Sequence, residues 1–250
     1  IKRKVAKSLY RIAGRGVDVV TGVTPEGVAR TQRLCPSAVA GSHIPLLSDF
    51  LIVNKEEIKA VDPVTGPVFL YIGAHSEGRE LEVVLEGIVK AVKEGAKAQF
   101  RFVGANEQEE SRLLKVDGLS ELIEQGVFTF ERPVPREKIP LILSECDIGI
   151  SLIPPKDVYY ESSPTKLAEY MGAGLAVIVS KGIPMQERFL NESGGGVLVD
   201  WRADSFSEQV AILASLKDNI NSYKIKSCEY AKKSLRYSSY TKNFRSLVGH

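Results

Sequence analysis

A regular alternation of short apolar runs with helical patterns, beginning at Val68, limits this chain to few folds. Parallel strands need crossover connections, and a helix is the usual one. The alternation therefore predicts a doubly wound, Rossmann-like α/β domain with a parallel sheet and helices on both faces. The predicted strands are Val68–Gly73, Gln99–Gly104, Val127–Phe130, Asp147–Leu152, Leu175–Ser180 and Gly196–Val199.

Two predicted helices bear on function. The first is indicated by apolar residues at helical spacing, namely Leu81, Val84, Leu85, Ile88 and Val92. The second covers Pro164 to Ala173, opened by Ser163 with proline in its first turn. Ligands of open α/β sheets bind beyond the carboxyl ends of the strands. We therefore expect the site where the strands pass into such helices.

The chain divides into three parts by pattern. Residues 1–62 contain a strand-like Val17–Val23, a helix near Pro25 and an extended piece near Ile44, too little for an independent domain. Residues 63–218 hold the predicted sheet. Residues 219–250 are predicted as C-terminal helices, the last covering Ser239–Val248. The start at Ile1, without methionine, suggests a piece of a longer protein.

Composition fits an ordinary globular domain. The chain has 250 residues, 44% hydrophobic and 26% charged, and 33 basic against 31 acidic residues give a net charge of +2. That balance gives no reason to expect a nucleic-acid partner. Three widely spaced cysteines, Cys35, Cys146 and Cys228, favour a reducing compartment over a disulfide framework. We predict a cytoplasmic protein without a signal peptide or membrane span.

Two basic segments are open to a second interpretation. The stretch from Ile1 to Gly14 is basic and amphipathic, a pattern that fits peripheral contact with an anionic membrane surface, but a solvated helix face is the favoured interpretation. The same holds for a cluster in the tail, formed by Lys224, Lys226, Lys232, Lys233 and Arg236.

The most informative segment reads YESSPTKLAEYMGAGLAVIVS, from Tyr160 to Ser180. Glu161 in a loop and Glu169 on a helix flank a helix start. Helix N-termini carry unpaired N–H groups and partial positive charge, so they hold a diphosphate without metal. Carboxylates accept hydrogen bonds from sugar hydroxyls. On chemistry alone, a capped helix with solvated glutamates is an equally good interpretation.

The spacing of these two glutamates, followed by EYMGAG and the strand AVIVS, resembles the signature of retaining glycosyltransferases of the B-type (GT-B) fold, in the large group 1 family. FLYIGAHSEGRELEVVLEG is similar to the family's first strand, glycine loop and helix. FRFVGANEQEESRLL resembles its second strand, and FTFERPVPREKIPLILSECDIGISLIP its base-binding loop and fourth strand.

The resemblance implies a role for each matching residue. Glu169 would bind the ribose and Glu161 the donor sugar, while the amides from Ser162 through Ser163 and Pro164 to Thr165 would bind diphosphate and sugar. Gly73 would let the backbone approach the donor. Arg79 would neutralise the diphosphate, where lysine is usual in the family. Glu161 and Arg79 are thus the predicted catalytic residues.

The chain departs from the family pattern in two places. Ala74 stands where an arginine commonly follows the loop glycine, so one phosphate-binding cation is missing, and Lys166 is the candidate replacement. Ser162, Ser163 and Pro164 replace a glycine-rich loop. The neighbouring His75 is expected to be a surface residue.

Nucleobase binding is predicted at Arg132 to Val134, after the third strand. There Val134 either packs on the base or only fills the loop.

The resemblance implies a retaining, metal-independent, hexosyltransferase-like enzyme that uses a nucleoside-diphosphate sugar and no separate cofactor. Its acceptor would be a glycan or lipid-linked hydroxyl in polysaccharide biosynthesis. Residues 1–62 would be the end of the acceptor domain with the crossover, to which Ile44, Pro45 and Asp49 would contribute, so we expect the chain to bind donor but transfer little by itself. Two alternatives remain, a sugar-nucleotide epimerase and a non-catalytic nucleotide-binding or interaction domain.

Overall fold

The computed structural model describes residues 8–9, 12–47, 52–241 and 245. Most of the basic stretch at Ile1–Gly14, Asp49 and most of the predicted helix at Ser239–Val248 lie outside these residues. The strands, in chain order from β1 to β8, are Val19–Gly22, Val39–His43, Val68–Ile72, Gln99–Val103, Phe128–Glu131, Ile148–Ser151, Ala176–Ser180 and Gly196–Val199.

Strands β3 to β8 form one parallel sheet in the order β5-β4-β3-β6-β7-β8. The chain moves outward from β3 to β5, then returns to the centre and continues through β6 on the other side of β3. Strand order therefore reverses between β3 and β6. Connections at such a switch point diverge to opposite faces and leave a crevice at the carboxyl ends of the strands. The predicted doubly wound fold is confirmed.

The α-helices that follow β3 lie on both faces of this sheet, and the α-helix before it belongs to the N-terminal segment. In chain order from α1 to α9 they are Pro25–Leu34, Leu81–Lys93, Glu107–Leu113, Leu119–Glu124, Ile139–Ser144, Thr165–Gly172, Pro184–Ser193, Ala203–Ser215 and Lys217–Ser234. Short 3-10 turns lie at Gly14–Gly16, Lys55–Glu57, Glu77–Arg79, Arg136–Lys138 and Asp157–Tyr159.

Each face of the sheet has its own apolar core. One core joins α2 and α8 to the sheet through residues such as Leu85 and Phe206, and the other joins α6 and α7 through Met171 and Phe189. Gly87 permits the close contact of α2 with α8, because a Cβ there would lie 2.7 Å from the Ala203 carbonyl oxygen. Burial on both faces explains why the central strands β3 and β7 are almost entirely apolar, whereas β4 and β5 toward one edge alternate apolar with polar residues.

The N-terminal segment forms a small βαβ unit. β1 and β2 pair in parallel, with α1 as the crossover between them. Thr24 caps α1 by accepting a 3.0 Å hydrogen bond from the Gly27 amide. The unit packs against the loop that carries Glu161, as described below.

Two sequence predictions need correction. The helix predicted from Pro164 starts at Thr165, with Pro164 as its N-cap residue instead of a first-turn residue. Lys224, predicted to be solvated, is buried, with 3% exposure. Its Nζ lies 2.7 Å from Asp147 Oδ1 and 2.6 Å from the Lys59 carbonyl oxygen. Lys224 lies on the buried face of α9, together with Ile220, Ser227, Cys228 and Ala231.

Candidate functional site

Six of the ten predicted site residues line one cavity at the switch point of the sheet, whereas Gly73, Val134, Glu161 and Glu169 are not among its lining residues. A cavity of about 280 Å³ opens there, at the carboxyl end of β6, between the 3-10 turn that carries Arg79 and the start of α6. It is lined by Arg79, Ser151, Leu152, Ile153, Tyr159, Ser162, Ser163, Pro164, Thr165 and Lys166. Residues far apart in sequence therefore converge on one space, as the strand order requires.

The start of α6 supplies backbone donors to this cavity. Thr165 and Lys166 are its first two residues, and such amides have no acceptor within the helix. Ser162 differs, because its amide donates to the Tyr159 carbonyl oxygen at 2.9 Å. Pro164 has no amide hydrogen. Of the four predicted amide donors from Ser162 to Thr165, this leaves Ser163 and Thr165, and the structure adds Lys166.

Lys166 lies over the glycine loop at the end of β3. Its Nζ is 4.1 Å from the centre of the Tyr71 ring, an arrangement suited to a cation–π contact. Gly73 leaves the space for it, because a Cβ at Gly73 would lie 2.5 Å from this nitrogen. The lysine thus lies beside Gly73, the residue that precedes Ala74.

The surroundings of Lys166 change its ionisation. Burial, and to a smaller degree the positive charge of Arg79, lower the pKa of Lys166 to about 7. The Glu169 carboxylate has the opposite, weaker effect and raises this pKa. Two cations near one cavity, one of them half-buried, favour an anionic ligand there, since that ligand would relieve both the repulsion and the loss of hydration.

Arg79 reaches the cavity from the other side. It ends the 3-10 turn at Glu77–Arg79, and its guanidinium carbon lies 5.3 Å from the centre of the Tyr159 ring. Glu80 follows in the left-handed conformation, at φ 47°, and redirects the chain into α2. A left-handed glutamate is unfavourable by itself, so this turn is held by its surroundings, among them the ion pair of Glu80 with Lys156.

Glu169 lies one turn along α6 and is half-buried. Burial raises its pKa, while the charges of Arg136 and Lys166 act in the opposite direction. Sequence reasoning missed Arg136, which lies in the loop after β5 that was predicted to hold the base. Val134 in the same loop is half-buried and packs against the apolar core that contains α6. This contact agrees with loop packing, which is one of the two roles predicted for Val134.

Tyr170, next to Glu169, anchors α6 to the sheet. Its hydroxyl accepts a 2.9 Å hydrogen bond from the Ile72 amide, and the side chain is 1% exposed. Gly149 makes room for the ring, since a Cβ there would lie 2.3 Å from it. The helix start is therefore fixed relative to the glycine loop, which follows Ile72.

Glu161 lies at the edge of the site that faces the N-terminal unit. Its Oε2 is 2.6 Å from Nε of Arg30 on α1. Its carbonyl oxygen accepts a 3.4 Å hydrogen bond from the Thr24 hydroxyl. Next to it, Ser163 Oγ accepts a 2.9 Å hydrogen bond from the Leu46 amide, so Ser163 does not cap α6. Neither Arg30 nor Thr24 was a predicted site residue.

The prediction that His75 is a surface residue is wrong. The side chain is fully buried among the rings of Tyr71, Phe102 and Phe130. Burial lowers its pKa to about 4, so the ring is neutral at pH 7. Its Nδ1 lies 2.7 Å from the Gly73 carbonyl oxygen. A neutral ring that donates this hydrogen bond holds the Gly73 carbonyl group in place, and with it the glycine loop.

A larger cavity, of about 610 Å³, lies at the opposite edge of the sheet. It is lined by the amino ends of β3 and β6 and by the linker that precedes β3, and it contains the buried pair of Lys224 and Asp147. No predicted site residue contributes to it. Cavity size alone therefore does not identify the functional site, whereas convergent charge and helix geometry favour the smaller cavity.

Together, the fold and the family comparison define a glycosyl transferase group 1 domain of the GT-B type. The family model described as glycosyl transferases group 1 matches residues 66–215. The match covers more than half of the chain, and the chain belongs to this family. No curated protein sequence matches it.

Solved structures share the fold. Sucrose-phosphate synthase from Thermosynechococcus elongatus superposes with a TM-score of 0.70 at 18% identity, over 98% of this chain and 61% of that one. Anabaena HepE, solved in complex with UDP-glucose, superposes with a TM-score of 0.70 at 10% identity, over 100% of this chain and 70% of that one. WaaG, a glycosyltransferase involved in lipopolysaccharide biosynthesis, superposes with a TM-score of 0.67 at 14% identity, over 92% of this chain and 62% of that one.

The chain thus spans less than two thirds of the synthase and of WaaG. Identities this low establish a common fold and not a common substrate. In the described part of the chain, no helix is both long enough and apolar enough to cross a bilayer.

Proposed function

We propose that this chain holds the nucleoside-diphosphate sugar of a glycosyl transfer reaction in the cavity at the switch point. One observation carries the proposal: Arg79, on the turn before α2, and Lys166, in the first turn of α6, line a single cavity where the strand order reverses although they are distant in sequence. That edge of an open α/β sheet is where such folds bind nucleotides.

The diphosphate lies between the two cations. Lys166 supplies the charge that Ala74 does not, from above the same glycine loop. Arg79 offers a fork of donors from the opposite wall, and the amides of Thr165 and Lys166 add the partial positive charge of a helix start. Arg79 on one wall, and the Lys166 side chain with the helix start that carries it on the other, give a positive potential that suits an anion bound without a metal ion.

The two glutamates bind the ends of the donor. Glu169 accepts hydrogen bonds from the ribose, because it is half-buried beside the loop after β5, where the base is proposed to lie near Val134. Glu161 accepts from hydroxyls of the transferred sugar at the other edge of the cavity. The order along the site is then base, ribose, diphosphate and sugar, from β5 toward the N-terminal unit.

In the reaction, the bond between the sugar and the diphosphate breaks, the acceptor oxygen bonds to the anomeric carbon with retention of configuration, and the proton of the acceptor hydroxyl passes to the leaving diphosphate. Negative charge grows on the leaving diphosphate, and Arg79, Lys166 and the start of α6 stabilise it. The acceptor, proposed to be a glycan or a lipid-linked hydroxyl, binds on the N-terminal side, to which residues 1–62 contribute only an edge. We therefore expect donor binding and little transfer by this chain alone.

The wider role is polysaccharide or related glycan biosynthesis at the cytoplasmic side of a membrane. WaaG, which shares the fold, is involved in lipopolysaccharide biosynthesis, and the basic stretch at the start of the chain suits a peripheral contact with anionic lipid. This placement rests on resemblance and charge, and the donor site does not depend on it.

Ala74 favours a second candidate, a non-catalytic nucleotide-binding domain. Loss of a phosphate-binding cation is the change expected of a domain that keeps the ligand and loses the chemistry. Lys166 above the loop argues against it, because the charge is replaced. Turnover by the complete protein separates the two candidates.

Thermal unfolding with uridine, guanosine and adenosine diphosphates tests the donor site. A ligand present at about 100 times its dissociation constant adds about 2.7 kcal/mol, which is about 5–10 °C for a chain of this size. We expect one nucleotide to stabilise the parent and not Glu169→Gln. The matched control is Glu124→Gln, an exposed glutamate at the end of α4. No stabilisation by any nucleotide would overturn the proposal.

A further inference from the structure

The N-terminal unit contacts the donor-sugar end of the site. Arg30 lies two turns into α1, and its Nε is 2.6 Å from Oε2 of Glu161. The pair joins segments 131 positions apart, on either side of the cleft between the small unit and the main sheet. It also involves the carboxylate to which the proposed function gives the sugar.

Three further contacts fix this approach. The Thr24 hydroxyl donates to the Glu161 carbonyl oxygen at 3.4 Å, and Thr24 itself is fully buried. The Leu46 amide donates to Ser163 Oγ at 2.9 Å. Glu26, in the first turn of α1, lies 3.4 Å from Arg188 on α7. Both the backbone and the side chain of Glu161 are therefore held from the N-terminal side.

The two carboxylate oxygens of Glu161 have different surroundings. Oε2 lies against Arg30, while the side chain as a whole remains 30% exposed. A carboxylate has acceptor sites on both oxygens. With one oxygen held by an arginine, the other keeps a fixed direction in which it can accept from a sugar hydroxyl. A free glutamate in a loop would have to be ordered at a cost of side-chain entropy each time a donor binds.

We propose that Arg30 is a positioning residue for recognition of the donor sugar, which acts by orienting Glu161 and so makes sugar binding depend on the N-terminal unit. This inference rests on the proposed function of Glu161. It goes beyond it, because it assigns part of the sugar specificity to a residue outside the nucleotide-binding half.

The prediction is selective. A nucleoside diphosphate lacks the sugar and does not need Glu161, whereas a nucleotide sugar does. Replacing Arg30 should therefore weaken the binding of the nucleotide sugar and leave the affinity for the nucleoside diphosphate unchanged. A role in general stability alone would change both affinities or neither.

The test compares four chains by calorimetry: the parent, Arg30→Gln, Arg30→Lys and the control Arg33→Gln. Arg33 is an exposed arginine on the same helix, so the control removes the same charge. The ligand pairs are UDP with UDP-glucose and UDP-N-acetylglucosamine, GDP with GDP-mannose, and ADP with ADP-glucose. The pair that the parent binds best is used for every variant.

We expect Arg30→Gln to weaken the nucleotide sugar about tenfold, equal to about 1.4 kcal/mol, with less than a twofold change for the diphosphate. Arg30→Lys should recover part of the loss, and Arg33→Gln should match the parent. If the parent binds the ligands but Arg30→Gln leaves their affinity ratio unchanged, the inference is wrong and the donor site stands. If the parent binds none of them, the proposed function fails and the inference fails with it.

Discussion

Lys166 should make donor binding depend on pH in a range where few other groups titrate. Burial lowers its pKa to about 7, so in the free protein the side chain is charged below pH 7 and neutral above it. A diphosphate next to it favours the charged form and raises the pKa toward its ordinary value of 10.5. Binding above pH 7 must therefore take up a proton.

The magnitude follows from the charged fraction of Lys166 in the free protein. With a pKa of about 7, that fraction is about nine tenths at pH 6 and about one tenth at pH 8. The apparent affinity scales with the fraction that is competent to bind. It should fall about tenfold from pH 6 to pH 8, which is about 1.4 kcal/mol. The sign is fixed, because a depressed lysine pKa weakens anion binding as pH rises.

Calorimetry in buffers of different ionisation enthalpy measures both quantities. A nucleotide sugar is the suitable ligand, because its diphosphate is esterified at both ends and does not titrate in this range. The expected proton uptake is about 0.9 per ligand at pH 8 and about 0.1 at pH 6. His75 does not interfere, since burial lowers its pKa to about 4.

Two variants complete this test. Lys166→Met should bind more weakly and lose the dependence on pH, whereas Lys115→Met, which removes an exposed lysine on the surface, should keep it. If the parent takes up no proton at pH 8, or if Lys166→Met retains the parent's pH profile, the role given to Lys166 is wrong.

Three further substitutions test the framework of the site. Lys224→Met should lower the free energy of unfolding in urea by about 3–5 kcal/mol, because it leaves the carboxylate of Asp147 buried without its cation. Gly73→Ala should abolish nucleotide-induced stabilisation in thermal unfolding, since its methyl group would take the place of Lys166 Nζ at φ 138°. Tyr170→Phe should cost about 1–3 kcal/mol in the same urea experiment, because a buried amide loses its acceptor.

Each substitution has a matched control. Lys226→Met removes an exposed lysine from the same helix and should change stability by less than about 0.5 kcal/mol. Gly95→Ala imposes the same kind of backbone strain, at φ 98°, with nothing within 4 Å of the new methyl group. Tyr160→Phe alters an exposed ring. Equal effects in a variant and its control would contradict the explanation given for that variant.

Local patterns carried most of the fold. The predicted strands agree with β3 to β8 to within one or two residues, because each strand is a short run rich in apolar residues between helical patterns. The predicted helix that begins near Leu81 corresponds to α2, since its periodicity extends over three turns. Short helices such as α4, of six residues, were not predicted. They are too brief to show a period and are held by contacts with the sheet.

The candidate site also contains residues that local patterns predict and residues that only tertiary contacts bring in. Gly73, Arg79 and the residues from Glu161 to Glu169 could be proposed from the sequence because they lie within short motifs. Arg30 was missed because its partner is 131 positions away, and only the βαβ packing brings the two together. His75 and Lys224 were misplaced for a related reason. A single polar residue in a sequence does not show which apolar neighbours or buried partners the fold will provide.

The central claim is that the donor diphosphate binds between Lys166, Arg79 and the start of α6. A crystal structure of this chain with the nucleoside diphosphate that stabilises it tests this most directly. We predict phosphate oxygens within hydrogen-bond distance of Lys166 Nζ and of the Thr165 amide, with the ribose hydroxyls on Glu169. A nucleotide bound elsewhere, for example in the larger cavity beside Lys224 at the opposite edge of the sheet, would contradict the assignment.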